Sequence, residues 1–445
     1  MASLARRLHS TDYFTLAFGT MVGAGWLVVM DDWLSRGGPL GVILGFAIGG
    51  VLLLPIGYVY GRLVMAIPDA SSEIAYTGKV YSPWVSFSAG WMMVLAYLPV
   101  CPWEAVAVGK IAAYIFPSLN SIELYRVSGL PVYLPRVLIG LALTLAITTL
   151  NYRGIRVTAT FQNWMTFGLL ALFVVFVSCG LARGSSQNLR PFFSHGGLVS
   201  VLLVIQIVPY FMTGFEAVPK CSEEASPDFR RQGFFRAILM AIVAGILFYT
   251  SVTAAVAYVH PWRALTTERF ATVVAFQRAF HARWIEDLIL AAALVSLVKI
   301  FNGNFVAATR LLFALGRRRL VDPRLARLHP VNQTPAVAIL LAGLLTAAAA
   351  LLGESILIPI TEVGSMASAG GWLATCAAYL RMDISPRQRR IALTGVLVGS
   401  SLILMKLLPF VPGHFTAQEF AALGAWGALG AALNLREKSK ADHTP

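Results

Sequence analysis

Charge is what this chain has least of. Over 445 residues only 13% are Asp, Glu, Lys or Arg, against about 25% in a soluble domain. Too few charges remain to cover a water-facing surface of that size, which excludes a soluble enzyme and a disordered chain. The net charge of +14, from 35 Lys and Arg against 21 Asp and Glu, does not point to nucleic acid. Binders of nucleic acid gather basic residues on solvated faces, and here they stand between apolar runs. Four cysteines form no CxxC pair and no Cys/His cluster with metal-ligand spacing, so neither a disulfide framework nor a metal site is expected. The seven histidines, from His9 to His443 in the tail, stand outside the apolar runs. No HExxH or Gly-x-Ser-x-Gly occurs. A membrane-embedded enzyme therefore lacks its usual equipment, and no catalytic residues or cofactor are expected.

What is present is apolar. Hydrophobic residues make up 57% of the chain and mean hydropathy is +0.71. A spanning helix needs about 20 mostly apolar residues, and twelve stretches qualify: 13–34, 39–64, 84–113, 134–151, 158–182, 197–219, 236–259, 286–315, 335–353, 356–380, 391–409 and 416–434. The fold class is all-α and polytopic, one transmembrane unit over residues 1–445. Arg6 and Arg7 precede the first stretch as in a signal peptide, but no small-x-small site follows. Trp26, Asp31, Asp32 and Trp33 occupy that place, so this stretch reads as a retained span.

Basic residues collect in cytoplasmic loops. With both termini inside, most Lys and Arg fall on that side, among them Arg230, Arg231, Arg236, Arg317, Arg318, Arg319, Arg436, Lys438 and Lys440. A multi-pass protein of the plasma (cytoplasmic) membrane is expected. Two short interfacial helices are predicted outside the spans, over 71–82 and over 266–282, the second with Thr266 and Thr267 as capping candidates.

Two spans carry signs of a break. Gly19-Thr20-Met21-Val22-Gly23-Ala24-Gly25-Trp26 has three glycines in mid-span, and Pro209-Tyr210-Phe211-Met212-Thr213-Gly214-Phe215-Glu216 has a proline, a glycine and a carboxylate. Unpaired backbone survives in a bilayer only where it is buried in protein or lines a cavity, and transporters bind substrate at such breaks. The plainer reading is that the glycines allow close helix packing, as Gly45 and Gly49 do in the second span. Glu216 tips the balance, because a carboxyl inside a span is costly without a function or a partner. The breaks occupy corresponding places in two successive five-span units.

The chain resembles the amino acid–polyamine–organocation superfamily of secondary transporters over nearly its full length. Gly23-Ala24-Gly25 stands where that family breaks its first helix. Thr213-Gly214-Phe215-Glu216 with Glu223-Glu224-Ala225-Ser226-Pro227 resembles its sixth helix and the acidic segment after it. Thr309-Arg310-Leu311-Leu312-Phe313-Ala314-Leu315 through Asn332-Gln333-Thr334-Pro335 resembles its eighth helix, basic loop and ninth-helix start. The resemblance implies two inverted repeats, 1–183 and 197–380, two extra helices over 391–434, and alternating access. It implies transport of an amino acid, with an amine or polyamine carrier or an exchanger of the same fold as the alternative.

In such a fold the free N–H groups of Ala24, Gly25 and Trp26, next to Gly23, would bind a carboxylate at a half-helix N-terminus. Carbonyls around Tyr210, Phe211, Thr213 and Gly214 would accept an ammonium. Tyr210 stands where relatives carry an aromatic gate, and Trp26 is a candidate lining residue; packing is the alternative for both. Glu216 resembles a glutamate that couples gating to protonation, the alternative being a structural bond to the unwound backbone. Some proton-dependent relatives carry a lysine in the fifth helix; the matching position here is Leu169. Lys299 sits instead midway along the eighth helix, where its ammonium is expected to reach the carbonyls of Gly19 and Val22. Its alternative is a snorkelling lysine. Tyr97 and, after the Pro99/Pro102 pair, Glu104 are candidate substrate contacts; Glu104 lies at a level where relatives contact the substrate side chain and would favour a cationic substrate. It could instead pair with Lys299 or Lys110. Asp31 and Asp32 read as a solvated rim. The expected partners are a small amino acid or amine, the proton and membrane lipid.

Overall fold

A computed structural model of the protein describes residues 4–268 and 270–442. Lys438, Lys440 and His443, used in the sequence reading, lie outside the described side chains. The architecture is helical almost throughout. Six helices are individually long and apolar enough to cross a membrane: Met30–Ala66, Pro83–Ile115, Leu134–Arg153, Ile155–Arg183, Gln232–Val259 and Pro386–Leu407. Arg283–Arg317, Ala336–Ala350, Leu357–Leu380 and Ala417–Asp442 fill the remaining unbroken places. The first and sixth spans are assembled from shorter helices. Large apolar side chains face outward along these helices; Leu145 is 68% exposed and Trp164 74%. Such surfaces find their solvent in lipid rather than water.

Each interruption has a chemical cause. The second half of the first span runs on from Met30 and turns into the second span at Gly38, whose φ of +64° lies in the region glycine alone enters freely. Pro39 follows without an N–H to continue the ladder. The third span divides into Pro83–Tyr97 and Val100–Ile115 around Pro99. Gly45 and Gly49 lie against Val204 and Val208 of the sixth span, a packing role.

The interfacial helices are shorter than the sequence reading gave. The first is Glu73–Gly78 and the second Ala271–Phe280. Neither Thr266 nor Thr267 caps the latter: its N-cap is Phe270 in the left-handed region, and the Thr266 hydroxyl donates back to the Arg263 carbonyl. A two-stranded hairpin, Glu123–Val127 with Leu130–Tyr133, stands where no strand was expected. Its signal was Ser128-Gly129, both at positive φ, a dipeptide suited to a two-residue hairpin turn.

Candidate functional site

The first helix, Ser10–Met21, ends at Val22, which is extended, and resumes as the single turn Gly25–Val28. The carbonyls at this break belong to a half-helix C-terminus, which carries partial negative charge. Lys299, fully buried, answers it: its Nζ donates to Gly19 O at 3.0 Å and to Val22 O at 2.5 Å. The ammonium also stands 5.6 Å from the centre of the Phe18 ring. Asn304, one helix turn and a residue further on, donates to Thr20 O at 3.2 Å. On the other side of the break, the N–H groups of Ala24, Gly25 and Trp26 have no protein acceptor among the described residues.

The sixth span breaks between Val208–Met212 and Ala217–Lys220. Gly214, at φ +148°, turns its N–H away from the helical ladder and onto Glu216 Oε2 at 2.8 Å. The other carboxylate oxygen accepts from Trp372 Nε1 at 2.6 Å. The Tyr210 carbonyl thereby loses its helical donor, and those of Met212 and Thr213 have no backbone donor among the described residues. Phe211 differs from expectation: its carbonyl accepts from the Tyr249 hydroxyl at 3.1 Å. That hydroxyl also reaches Met21 O at 3.0 Å, so one side chain of the seventh span ties the two breaks together. They touch directly as well. A Cβ on Gly214 would stand 2.5 Å from the Met21 nitrogen.

Between the breaks lies a closed cavity of about 10 Å³, room for roughly one water. Gly23, Gly25, Glu104, Tyr210, Phe211 and Thr213 line it, together with Thr20, Met21, Val100, Trp103, Ile300 and Asn304. Glu104 is 2% exposed, and its Oε2 has no hydrogen-bond partner among the described residues. Lys110 pairs with Glu354 at 3.7 Å, and Glu104 is not within ion-pair distance of Lys299 or any other described cation. The Tyr210 hydroxyl is likewise without a partner among them. Two candidates stand elsewhere. Trp26 packs on Phe176 and Phe248, with ring centres 5.3 and 6.3 Å away. Tyr97 lies under the Lys220 ammonium, 5.0 Å from its ring centre.

Sequence reasoning missed Asn304, Tyr249, Trp372 and Trp103. Asn304 had a signal, an amide five residues from Lys299 in mid-span. The aromatic residues had none, in a chain with 26 Phe, 14 Tyr and 10 Trp.

Ion pairs stand on both faces of the molecule. On the basic face, Lys220 meets Glu73 at 2.6 Å with both side chains fully buried, and Lys220 also donates to the Glu216 carbonyl at 3.0 Å. Arg310 holds Glu224 with two donors, 2.9 and 3.2 Å. On the opposite face Asp32 is not free rim: Arg36 bonds it at 2.8 Å and Glu362 at 3.0 Å. Glu362 is in turn bound by the buried Lys406.

Comparison with known proteins agrees with this arrangement. The amino acid permease family model matches residues 9–429. The branched-chain amino acid permease of Bacillus subtilis strain 168 is 24% identical over 395 residues, covering 86% of this chain and 80% of that one. The methylthioribose transporter of the same organism is 24% identical, covering 82% and 79%. The gamma-aminobutyric acid permease of Escherichia coli K12 is 24% identical, covering 75% and 70%. With two broken helices meeting at a buried cavity and a family match over nearly its whole length, the chain is a multi-pass membrane transporter, not an enzyme, and belongs to the amino acid permease family.

Proposed function

We propose that the protein carries an amino acid, preferentially a cationic one, across the plasma membrane by alternating access coupled to the proton. The N–H groups of Ala24, Gly25 and Trp26 receive the substrate carboxylate, and the free carbonyls of Tyr210 and Thr213 its ammonium. Glu104, the one carboxylate on the cavity wall without a partner among the described residues, supports a second cationic group on the substrate side chain. Three relatives' printed substrates support the amino acid class, those of a branched-chain amino acid permease, a gamma-aminobutyric acid permease and an aromatic amino acid transport protein, while a fourth is a methylthioribose transporter. An amine without a carboxylate would leave the three N–H groups unmet, which favours the amino acid reading.

The Lys299 clamp carries the proposal of proton coupling. An ammonium bound to Gly19 and Val22 holds the broken first helix; losing its proton leaves one lone pair and weaker donors, and frees the half-helix to move. Glu216 serves as the second proton-sensitive group, next to Gly214. Residues 1–183 and 197–380 act as the two inverted repeats, with 391–434 as added helices, and the basic face is cytoplasmic with both termini.

Uptake of labelled lysine, leucine and putrescine into proteoliposomes tests this reading under an inward proton gradient, under sodium alone and against internal substrate alone. Proton-driven lysine uptake is expected, with Glu104→Gln abolishing the preference for lysine over leucine. Sodium-driven uptake that survives Lys299→Ala, or an unchanged preference in Glu104→Gln, would overturn it.

A further inference from the structure

We propose that a cleft between the first, fifth and seventh spans, on the basic face, binds an anionic phospholipid through Arg230 and Arg236. The cleft encloses about 810 Å³, far more than the closed cavity between the breaks. It runs from Arg230, ahead of the helix Gln232–Val259, to Met240 within that helix. At 1.5 Å per residue the helical part, from Gln232 to Met240, covers about 12 Å, enough to pass from headgroup level into hydrocarbon.

The two ends differ in chemistry. At one end stand the guanidinium groups of Arg230 and Arg236, neither with an ion pair or hydrogen bond to the described residues. Elsewhere on this face the arginines beside carboxylates are paired: Arg310 is bound to Glu224, Arg317 to Glu223 and Asp69, and Arg318 to Asp69. Asp228, the carboxylate on the cleft wall, pairs with neither arginine, and the Ser226 hydroxyl beside it lies 3.3 Å from His9 Nδ1. At the other end stand Phe14, Phe167 and Met240; Phe167 is 48% and Met240 56% exposed.

A soluble phosphate compound meets the arginines and leaves the apolar end bare. A neutral lipid covers the apolar end and brings no net charge to the arginines. A phospholipid with net negative charge satisfies both, because its phosphodiester accepts from the guanidinium forks while an acyl chain lies along Phe14, Phe167 and Met240. The site bears on movement of the first helix, since His9, Ser10 and Thr11 form part of its wall and the other end of that helix is the Lys299 clamp. A seated lipid braces this half-helix.

Binding is measured on the purified full-length protein, independently of transport, by native mass spectrometry during titration with phosphatidylglycerol, phosphatidylcholine or inorganic phosphate. Phosphatidylglycerol is expected to bind, and phosphatidylcholine and inorganic phosphate are expected not to displace it. One juxtamembrane basic residue is worth about fivefold in affinity for anionic lipid, so Arg230→Ala with Arg236→Ala should weaken binding about 25-fold. Arg230→Lys with Arg236→Lys, which keeps the charge, should retain most of it; a lysine variant as weak as the alanine variant overturns the proposal. So does unchanged phosphatidylglycerol binding in a double alanine variant that still elutes as a folded species. Displacement by inorganic phosphate would reassign the arginines to a soluble ion, and equal binding of phosphatidylcholine would reduce the cleft to a general lipid contact; either result rejects an anionic-lipid site.

Discussion

The two helix breaks solve the same problem with opposite charges. In the first, the exposed end is a set of carbonyls, and an ammonium from Lys299 meets Gly19 and Val22. In the sixth, the group met by a side chain is the Gly214 N–H, and the Glu216 carboxylate meets it. Each choice follows the helix dipole, cation at the carbonyl end and anion at the N–H end. They differ in where the partner comes from. Lys299 reaches in from another span, so motion of the eighth helix relative to the first makes or breaks the clamp. Glu216 sits two residues from its partner on the same chain segment, so that break moves as a unit, steadied by Trp372 from the tenth span.

The contact between the breaks is the strongest point at which to disturb both. Gly214→Ala places a methyl group 2.5 Å from Met21 N and 2.8 Å from its Cα, at a φ of +148° that an L side chain rarely adopts. Backbone atoms cannot yield as a flexible side chain does, so the expected result is loss of folded protein in detergent, read by size-exclusion profile and thermal melt. Gly424→Ala is the matched control. A Cβ there meets nothing within 4 Å, inside the helix Ala417–Asp442, where alanine is the better helix former by roughly 1 kcal/mol in water. A folded, active Gly214→Ala protein would show that the breaks do not need their backbone contact.

The unequal origin of the two partners predicts an unequal response to neutralisation. Lys299→Met leaves two buried carbonyls without a donor, a cost on the order of 3 kcal/mol at the usual penalty for unmet groups. Proton-driven uptake is expected to fall below one hundredth and what remains to lose its dependence on the imposed gradient. Glu216→Gln keeps an oxygen for Gly214 or Trp372, and uptake is expected to fall about tenfold, near the effect of one charge-assisted bond made neutral. Equal losses in the two variants, measured in the same proteoliposomes, would erase the distinction between a clamp from outside and a partner within.

How much of this was legible in the sequence depends on whether a residue looks out of place. Lys299 did, because an ammonium in mid-span needs acceptors; its two contacts could be named once the family resemblance set the eighth helix against the broken first. The breaks were visible in their glycines and in Pro209. The side chains of Trp26 and Tyr97, candidates for the substrate pocket, pack away from the cavity, for a common reason. A break or bend resets helical phase, and both residues sit beside one: Trp26 just after Ala24-Gly25 and Tyr97 just before Leu98-Pro99. Spacing counted across such a point no longer says which face a side chain occupies. Tyr249 and Trp372 were invisible for a different reason. Their roles come from one hydroxyl and one indole N–H, which nothing in an aromatic-rich span distinguishes from ordinary packing.

Trp372 gives the finest probe of how self-contained the sixth-span break is. Its ring is stacked on Phe215, with centres 5.7 Å apart and planes 29° from parallel, while its Nε1 donates to Glu216 Oε1. Trp372→Phe retains most of the stacking and removes the donor alone. Glu216 still has the Gly214 N–H, so the break should persist, at a cost of about 1 kcal/mol for an intramembrane hydrogen bond. A thermal melt lowered by a few degrees, with uptake within about fivefold of the parent protein as that energy allows, is the expected outcome. The double variant Trp372→Phe with Glu216→Gln then separates direct from indirect effects: if the indole acts only through Glu216, adding the tryptophan change to the glutamine variant costs less than adding it to the parent. Full additivity would mean that Trp372 steadies the tenth span by packing and that Glu216 holds its break with Gly214 alone.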